Sequence, residues 1–255
     1  MTFYFPEDGS QTWLRFEDAL LAVGILQHAS LRSNPRVLEI GVWKGGCTST
    51  VLMNVPGSTV TGVDPYPEDA ARVRPLMLGR LSSLGVADRF TLCNTLAELP
   101  LDQRFDVIHV DGNHSEANAW EDISRAYELL DEQGVMIIDD VTHKWLPGVA
   151  SAAYRFCSES ELRMFALTRS KGYFSRVDSA RHWHREISRE AGTSIDVTVF
   201  QNYRDMTGHP YFESSDVMGQ PVLLVAPVER EKPASVRGRR RRVVRLIRRF
   251  LARFV

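Results

Sequence analysis

Hydrophobic positions in this chain fall into short continuous runs separated by stretches with helical spacing. The runs that predict buried strands are 36–40, 59–63, 89–93, 105–110 and 134–138. Between the last two, residues 115–130 place Ala119, Ile123 and Ala126 on one face, which predicts a helix. Strands that alternate with helices in this order predict a doubly wound, Rossmann-like α/β fold with a mostly parallel sheet.

The segments that flank this repeat predict further elements. Residues 12–31 have the spacing of an amphipathic N-terminal helix, which the pair Asn34-Pro35 ends. A helix from 147 to about 157 is followed by two strand-like segments around the Lys171-Gly172 pair. We therefore divide the chain into an N-terminal helical cap, a main domain, a linker and a tail. Their bounds are 1–34, 35–228, 229–238 and 239–255.

The C-terminal part carries weaker signals. Residues 195–200 alternate like a strand, and 221–226 form a short apolar run typical of an edge strand. Residues 201–219 suit either a lid or a dimer arm, so a homo-oligomer is one expectation. A basic amphipathic helix is predicted over 239–255, which suits contact with an anionic membrane surface. A disordered tail, or a helix docked on an acidic partner, are the alternatives.

The composition is that of an ordinary globular protein, with 255 residues, 44% hydrophobic and 25% charged. Its three cysteines form no CxxC pair, which favours reduced thiols. The first eight residues lack the basic group of a secretion signal, and no run of about 18 apolar residues could span a bilayer. We expect a cytoplasmic protein, with association at the inner face of the membrane as an alternative if the C-terminal helix binds lipid.

The net charge of −1 conceals an asymmetry between the tail and the rest of the chain. Residues 237–255 contain nine arginines and no acid, so subtracting them leaves −10 on residues 1–236. An acidic body repels polyanions, which argues against a nucleic acid partner.

A glycine-rich turn follows the first predicted strand and precedes a helix. Glycines let the backbone approach a ligand, and the helix N-terminus offers free N–H groups. A phosphate-binding P-loop is disfavoured because Lys44 precedes the glycine pair, and a dinucleotide fingerprint is disfavoured because the spacing is GxxxG. Glu39 stands two residues before Gly41, with Gly45 four residues after it. About 20 residues on, Asp64 ends the second strand, where an acid can accept hydrogen bonds from a ribose.

Acids also follow the fourth and fifth strands. Asp111 comes directly after 105–110, with His114 three residues later. Asp139 and Asp140 come directly after 134–138. Open α/β sheets bind their ligands at the carboxyl ends of the strands, so these side chains converge on one rim.

These motifs together resemble a known family. The strings VLEIGVWKGG, VTGVD, FDVIHVDGNH and GVMIIDD are similar to those of class I S-adenosylmethionine-dependent methyltransferases. Within that class they resemble the metal-dependent small-molecule O-methyltransferases, including the catechol and macrolide-sugar enzymes. The resemblance covers roughly 36–156 and implies a seven-stranded sheet whose last two strands include an antiparallel one. It assigns cofactor binding to Glu39, Gly41, Gly45, Asp64, Asn94, Thr95 and Asp111.

The resemblance also implies a metal ion and a base. Asp111, Asp139 and Asp140 occupy the metal-binding positions, and carboxylate oxygens suit Mg²⁺. His114 occupies the position of a base that takes the hydroxyl proton, with His143 as its rival. His109 is expected to be a core histidine.

The expected function is Mg²⁺-dependent transfer of a methyl group from S-adenosylmethionine to a small-molecule hydroxyl. The resemblance favours a sugar or glycoside acceptor, because the catechol enzyme has lysine where this chain has His114. Two other classes stay open at this point. One is a cofactor-fold protein that acts on membrane or RNA through its arginine-rich tail, and the other is a nicotinamide oxidoreductase, which the glycine spacing disfavours.

Overall fold

The computed structural model describes residues 4–6, 15–28, 33–67, 72–188 and 212–225. Its helices are α1 (Phe16–Leu26), α2 (Gly46–Asn54), α3 (Val73–Ser83), α4 (Glu116–Leu129), α5 (Pro147–Glu159) and α6 (Val177–Ser188). Its strands are β1 (Arg36–Ile40), β2 (Thr59–Val63), β3 (Phe90–Cys93), β4 (Phe105–Val110), β5 (Leu130–Ile138), β6 (Leu162–Leu167), β7 (Gly172–Arg176), β8 (Phe212–Val217) and β9 (Gln220–Val225).

The strands form one sheet in the order β3-β2-β1-β4-β5-β7-β6-β9-β8. The first five strands run parallel, and β7 is antiparallel to both β5 and β6. This confirms the predicted doubly wound, mostly parallel α/β fold. The strand order reverses between β1 and β4, because the chain first builds outward to β3 and then returns. A crevice at such a reversal, at the carboxyl ends of the strands, is where open sheets bind ligands.

Within the described ranges the sheet has nine strands, two more than the seven that the resemblance implied. The additional pair is a hairpin in which β9 runs parallel to β6 and β8 covers the outer side of β9. The predicted edge strand is therefore an inner strand. Met218 and Gly219, with φ of 54° and 72°, form its two-residue turn, as tight hairpins require.

The two faces of the sheet pack against different helices. One face of β1, β4 and β5 presents Val37, Val107 and Val135 to a core that includes residues of α1, α2 and α6. The other face presents Leu38, Ile108 and Met136 to a core that includes residues of α4 and α5. This alternation follows from the two-residue period of a strand.

Several predicted features lie outside the described residues. They are the strand over 195–200, most of the segment 201–219, the linker 229–238 and the basic tail 239–255. In the described part, no helix is long and apolar enough to cross a membrane.

Candidate active site

A cavity of about 1050 Å³ opens at the carboxyl ends of the parallel strands. Most of the residues that the sequence singled out lie along its wall. They are Glu39, Gly41, Asp64, Asn94, Thr95, Asp111 and His114. Four predicted site residues are not among its lining: Gly45, Asp139, Asp140 and His143. The structure thus gathers most of the predicted cofactor positions and part of the acidic rim around one space.

The turn after β1 makes a backbone contact with the turn after β4. Gly41 has φ of +84°, and a Cβ there would lie 1.9 Å from the carbonyl oxygen of Asp111. Only glycine fits this position, since a side chain would meet the neighbouring backbone. Gly45, with φ of +70°, precedes the first residue of α2. Gly41 therefore shapes the turn after β1, and Gly45 shapes the start of α2. Gly45 is not part of the cavity lining.

The buried carboxylate of Asp64 holds the glycine turn in place. It accepts hydrogen bonds from the backbone N–H of Trp43 at 2.8 Å and of Tyr66 at 2.9 Å. The Tyr66 hydroxyl donates to the carbonyl of Trp43 at 2.6 Å, which closes a small ring of contacts. A carboxylate has about four acceptor positions, so Asp64 retains acceptor capacity toward the cavity.

The loop after β3 carries Asn94 and Thr95. Both backbone N–H groups donate to the carboxylate of Glu98, each at 3.1 Å. Thr95 also caps a short 3₁₀ helix over residues 96–98. The Thr95 side chain therefore has a structural role in addition to its place beside the cavity.

Below the cofactor positions lies a cluster of buried polar side chains. The Thr48 hydroxyl donates to one carboxylate oxygen of Glu39, and the other lies 3.5 Å from His109 Nδ1. Cys47 stands beside this pair, and burial raises the pKa of its thiol. His109 is buried as predicted, but it also lines the cavity and contacts charged groups.

Lys171 is a buried cavity residue to which the sequence analysis assigned no role. It lies in the turn between β6 and β7, lines the cavity and is only 2% exposed. Its Nζ is 2.9 Å from His109 Nε2 and forms an ion pair with the Asp139 carboxylate. Burial disfavours the charged amine, but Asp139, Asp111 and Asp18 outweigh it and raise the pKa of Lys171. A lysine beside a glycine, between two apolar strands, was the only local signal.

His114 lies between two of the rim carboxylates. Its Nε2 is 3.1 Å from Asp140 Oδ2 and 3.9 Å from Asp111 Oδ1. Asp111 and Asp140 together raise the pKa of His114 to about 10, so the imidazole is a cation at neutral pH in this arrangement. His143 is exposed, and its backbone N–H donates to the Asp140 carbonyl at 3.0 Å. Geometry places His114, rather than His143, next to the cavity.

The three aspartates predicted to bind Mg²⁺ differ in their surroundings. Donor atoms of Asp111, His114 and Asp140 lie within 4.8 Å of one another, as do those of His109, Asp111 and Asp139. Asp139 is engaged by Lys171, whose positive charge lowers the pKa of this carboxyl against the effect of burial. The cation beside Asp111 and Asp140 is the half-exposed His114 imidazole, which can lose its proton, whereas the cation beside Asp139 is a buried ammonium. Asp111 and Asp140, whose oxygens converge, therefore fit a divalent ion better than Asp139 does.

Residues 38–141 match the model of a family described as a methyltransferase domain. The chain has the class I S-adenosylmethionine-dependent methyltransferase fold. The four sequence strings quoted for the resemblance run from β1 to the turn after β5, nearly the same stretch as the matched residues. The predicted family resemblance is confirmed at this level. No curated protein sequence matches the chain significantly.

Solved structures of two methyltransferases and of one further protein share this fold at low sequence identity. The SAH-bound methyltransferase PaMTH1 of Podospora anserina is 16% identical, with a TM-score of 0.54 over 67% of this chain and 82% of that one. The O-methyltransferase NovP is 19% identical, with a TM-score of 0.52 over 65% and 82% of the two chains. A Corynebacterium glutamicum protein is 12% identical, with a TM-score of 0.52 over 66% and 83%.

Proposed function

We propose that this protein transfers a methyl group from S-adenosylmethionine to a hydroxyl oxygen of a small molecule. The observation that carries the proposal is the contact of Gly41 with the Asp111 backbone. It brings the glycine turn of the cofactor half and the charged rim onto one cavity. A methyl donor and an oxygen acceptor held on adjacent walls are oriented for direct transfer, which lowers the entropic part of the barrier.

The cofactor half of the cavity fits S-adenosylmethionine. In this proposal Asp64 accepts hydrogen bonds from the ribose, and Asn94 and Thr95 lie beside the adenine. Glu39, Gly41 and Gly45 shape the space for the methionine half, with Asp111 at the boundary to the rim. When bound, the cofactor supplies an electrophilic methyl group. The SAH bound to PaMTH1, which shares this fold, supports the choice of cofactor.

Mg²⁺ at the rim is the finer part of the proposal. Asp111 and Asp140 would hold the ion, and Asp139 is the third ligand that the sequence resemblance predicts. When bound, the ion would lower the pKa of the acceptor hydroxyl and fix its oxygen. The convergence of two carboxylates beside the cavity supports a cation there.

His114 takes the hydroxyl proton in this proposal. Its imidazole is 41% exposed beside the cavity, within reach of a bound acceptor. The role requires a neutral imidazole, whereas Asp111 and Asp140 favour the protonated form. His114 therefore acts as a base only when another cation neutralises those two carboxylates, which links the proposed base to the proposed metal ion. His143 stays the alternative base.

A sugar or glycoside is the proposed acceptor, and this rests on the resemblance of the DGNH motif to the sugar enzymes. Two measurements test the function. Titration calorimetry of the full chain with S-adenosylhomocysteine tests the cofactor, and we expect binding that Asp64→Ala weakens. Transfer of a radiolabelled methyl group to a panel of glycosides and catechols, with Mg²⁺ or with a chelator, tests the acceptor. Absence of S-adenosylhomocysteine binding would refute the function, and turnover of catechols alone would refute the glycoside preference.

A further inference from the structure

The Lys171 ammonium lies among the carboxylates that the family resemblance assigns to a metal ion. It forms an ion pair with Asp139 and contacts His109 Nε2 at 2.9 Å. Because an ammonium has only donors, this contact is a hydrogen bond when His109 accepts through Nε2 and carries its proton on Nδ1, which lies 3.5 Å from Glu39. Lys171 is thus held by the buried His109 and by the largely covered Asp139 on the inner side of the rim.

The backbone also fixes this lysine. Thr168 N–H donates to the Lys171 carbonyl at 2.9 Å, and Lys171 N–H donates to the Thr168 hydroxyl at 3.0 Å. The next residue, Gly172, pairs with Ile138 in the antiparallel register of β5 and β7. This register sets Lys171 directly beside Asp139, the residue that follows Ile138. Moving the ammonium away would leave the buried His109 and the largely covered Asp139 carboxylate without their partner, which is costly.

We propose that Lys171 removes Asp139 from the metal-ligand set and leaves Asp111 and Asp140 as the carboxylates available to a divalent ion. Two cations on one carboxylate repel each other, and the buried ammonium is the one that the fold holds in place. In this proposal the Lys171 ammonium stays bound to Asp139 on the inner side of the rim. A metal ion binds and leaves at Asp111 and Asp140 on the outer side. Lys171 acts as a positioning residue, and this inference rests on the metal site of the proposed function.

The test is titration calorimetry of the full chain with Mn²⁺ and with Mg²⁺. The decisive variant is the double substitution Lys171→Met with Asp139→Asn, which removes the ammonium and its ion-pair partner together. We expect it to bind each ion within about threefold of wild type, whereas Asp140→Asn weakens binding at least tenfold. Lys171→Met alone releases Asp139 to the ion, so we expect at least tenfold tighter binding, with Lys171→Arg behaving like wild type.

Three results would overturn the inference. The first is a double variant that loses as much affinity as Asp140→Asn, because Asp139 would then be a ligand. The second is a folded Lys171→Met variant with unchanged or weaker affinity. The third is that neither ion binds to any variant.

S-adenosylhomocysteine titrations of the same samples separate this inference from the function itself. Binding of S-adenosylhomocysteine with loss of metal affinity in the double variant would refute the role of Lys171 and leave methyl transfer standing. Metal binding in the expected order without S-adenosylhomocysteine binding would refute the methyltransferase function and leave the assignment of ligands standing.

Discussion

The two halves of the cavity are built by different means. The cofactor half, at the ends of β1 and β2, is held by backbone groups: Gly41 meets the Asp111 carbonyl, and Asp64 accepts two backbone N–H groups. The rim half, at the ends of β4 and β5, is held by charged side chains, with Lys171 against Asp139 and His114 against Asp140. A backbone contact is lost when a single substitution adds a side chain there. The cost of removing one member of an ion pair can be offset by removing the other member as well. The two halves should therefore respond differently to mutation.

Gly41→Ala should have the largest effect, because the new Cβ would lie 1.9 Å from the Asp111 carbonyl oxygen at a φ of +84°. We expect a loss of more than about 4 kcal/mol in unfolding free energy, measured by urea denaturation. Gly79→Ala, in α3, is the matched control, since a Cβ added there would meet no heavy atom within 4 Å. It should be neutral or stabilising by up to about 1 kcal/mol. Equal stability of the two variants would disprove the close approach.

His114→Gln tests the rim without touching the cofactor half. We expect kcat to fall by about 10²–10⁴-fold, because glutamine cannot take a proton, while S-adenosylhomocysteine affinity stays the same. His143→Gln, at the exposed neighbouring histidine, is the control and should change kcat less than threefold. The reverse outcome in steady-state methyl-transfer assays would make His143 the base.

Lys171→Met tests whether the charges of the rim depend on each other. It leaves the Asp139 carboxylate, whose side chain is 12% exposed, without its cation, so we expect a loss of about 2–5 kcal/mol in unfolding free energy. Adding Asp139→Asn should restore most of that loss, since neither charge is then unpaired. Thermal and urea unfolding of the wild type, the two single variants and the double variant give the coupling energy. Additive effects would show that the two side chains do not form a pair.

Of the four variants, Asp64→Asn should have the smallest effect. It tests the cofactor half of the cavity. The amide retains one acceptor oxygen, so one of the two backbone N–H contacts from Trp43 and Tyr66 is lost. We expect S-adenosylhomocysteine affinity to fall by about 1–3 kcal/mol in calorimetry. Asp216→Asn is the control, because Asp216 accepts a hydrogen bond from Gly219 in the β8–β9 hairpin, away from the cavity. A similar loss of affinity in both variants would point to a general destabilisation.

The cofactor half could be predicted from the sequence because its signals are local. Gly41 follows a strand directly, and Asp64 ends the next strand, so chain order alone places them at the same edge of the sheet. The same reasoning brought Asp111 and His114 to the cavity. The fold shows where these residues lie and what they contact, whereas their roles in binding and catalysis stay predictions.

The rest of the rim depends on pairings between distant segments. Lys171 is 32 residues from Asp139 and 62 from His109, and they meet only because β7 pairs antiparallel with β5. No periodicity in the sequence encodes that register. The β8–β9 hairpin was underestimated for a similar reason, because only Val222, Leu223 and Val225 of β9 are deeply buried. Such a short apolar run does not indicate which strands it pairs with.

The contact between Gly41 and Asp111 also limits how acceptor preference can be redesigned. Because the Asp111 carbonyl fills the space where residue 41 would carry a side chain, neither loop can be lengthened or shifted alone. Libraries for new acceptors belong instead at residues 144–146, which follow the rim aspartates and precede α5. There Trp145 is 74% exposed, and it bears a cation–π contact from Lys144 at 4.9 Å. Residues 144–146 can be substituted while the Gly41–Asp111 contact and the rim aspartates stay unchanged.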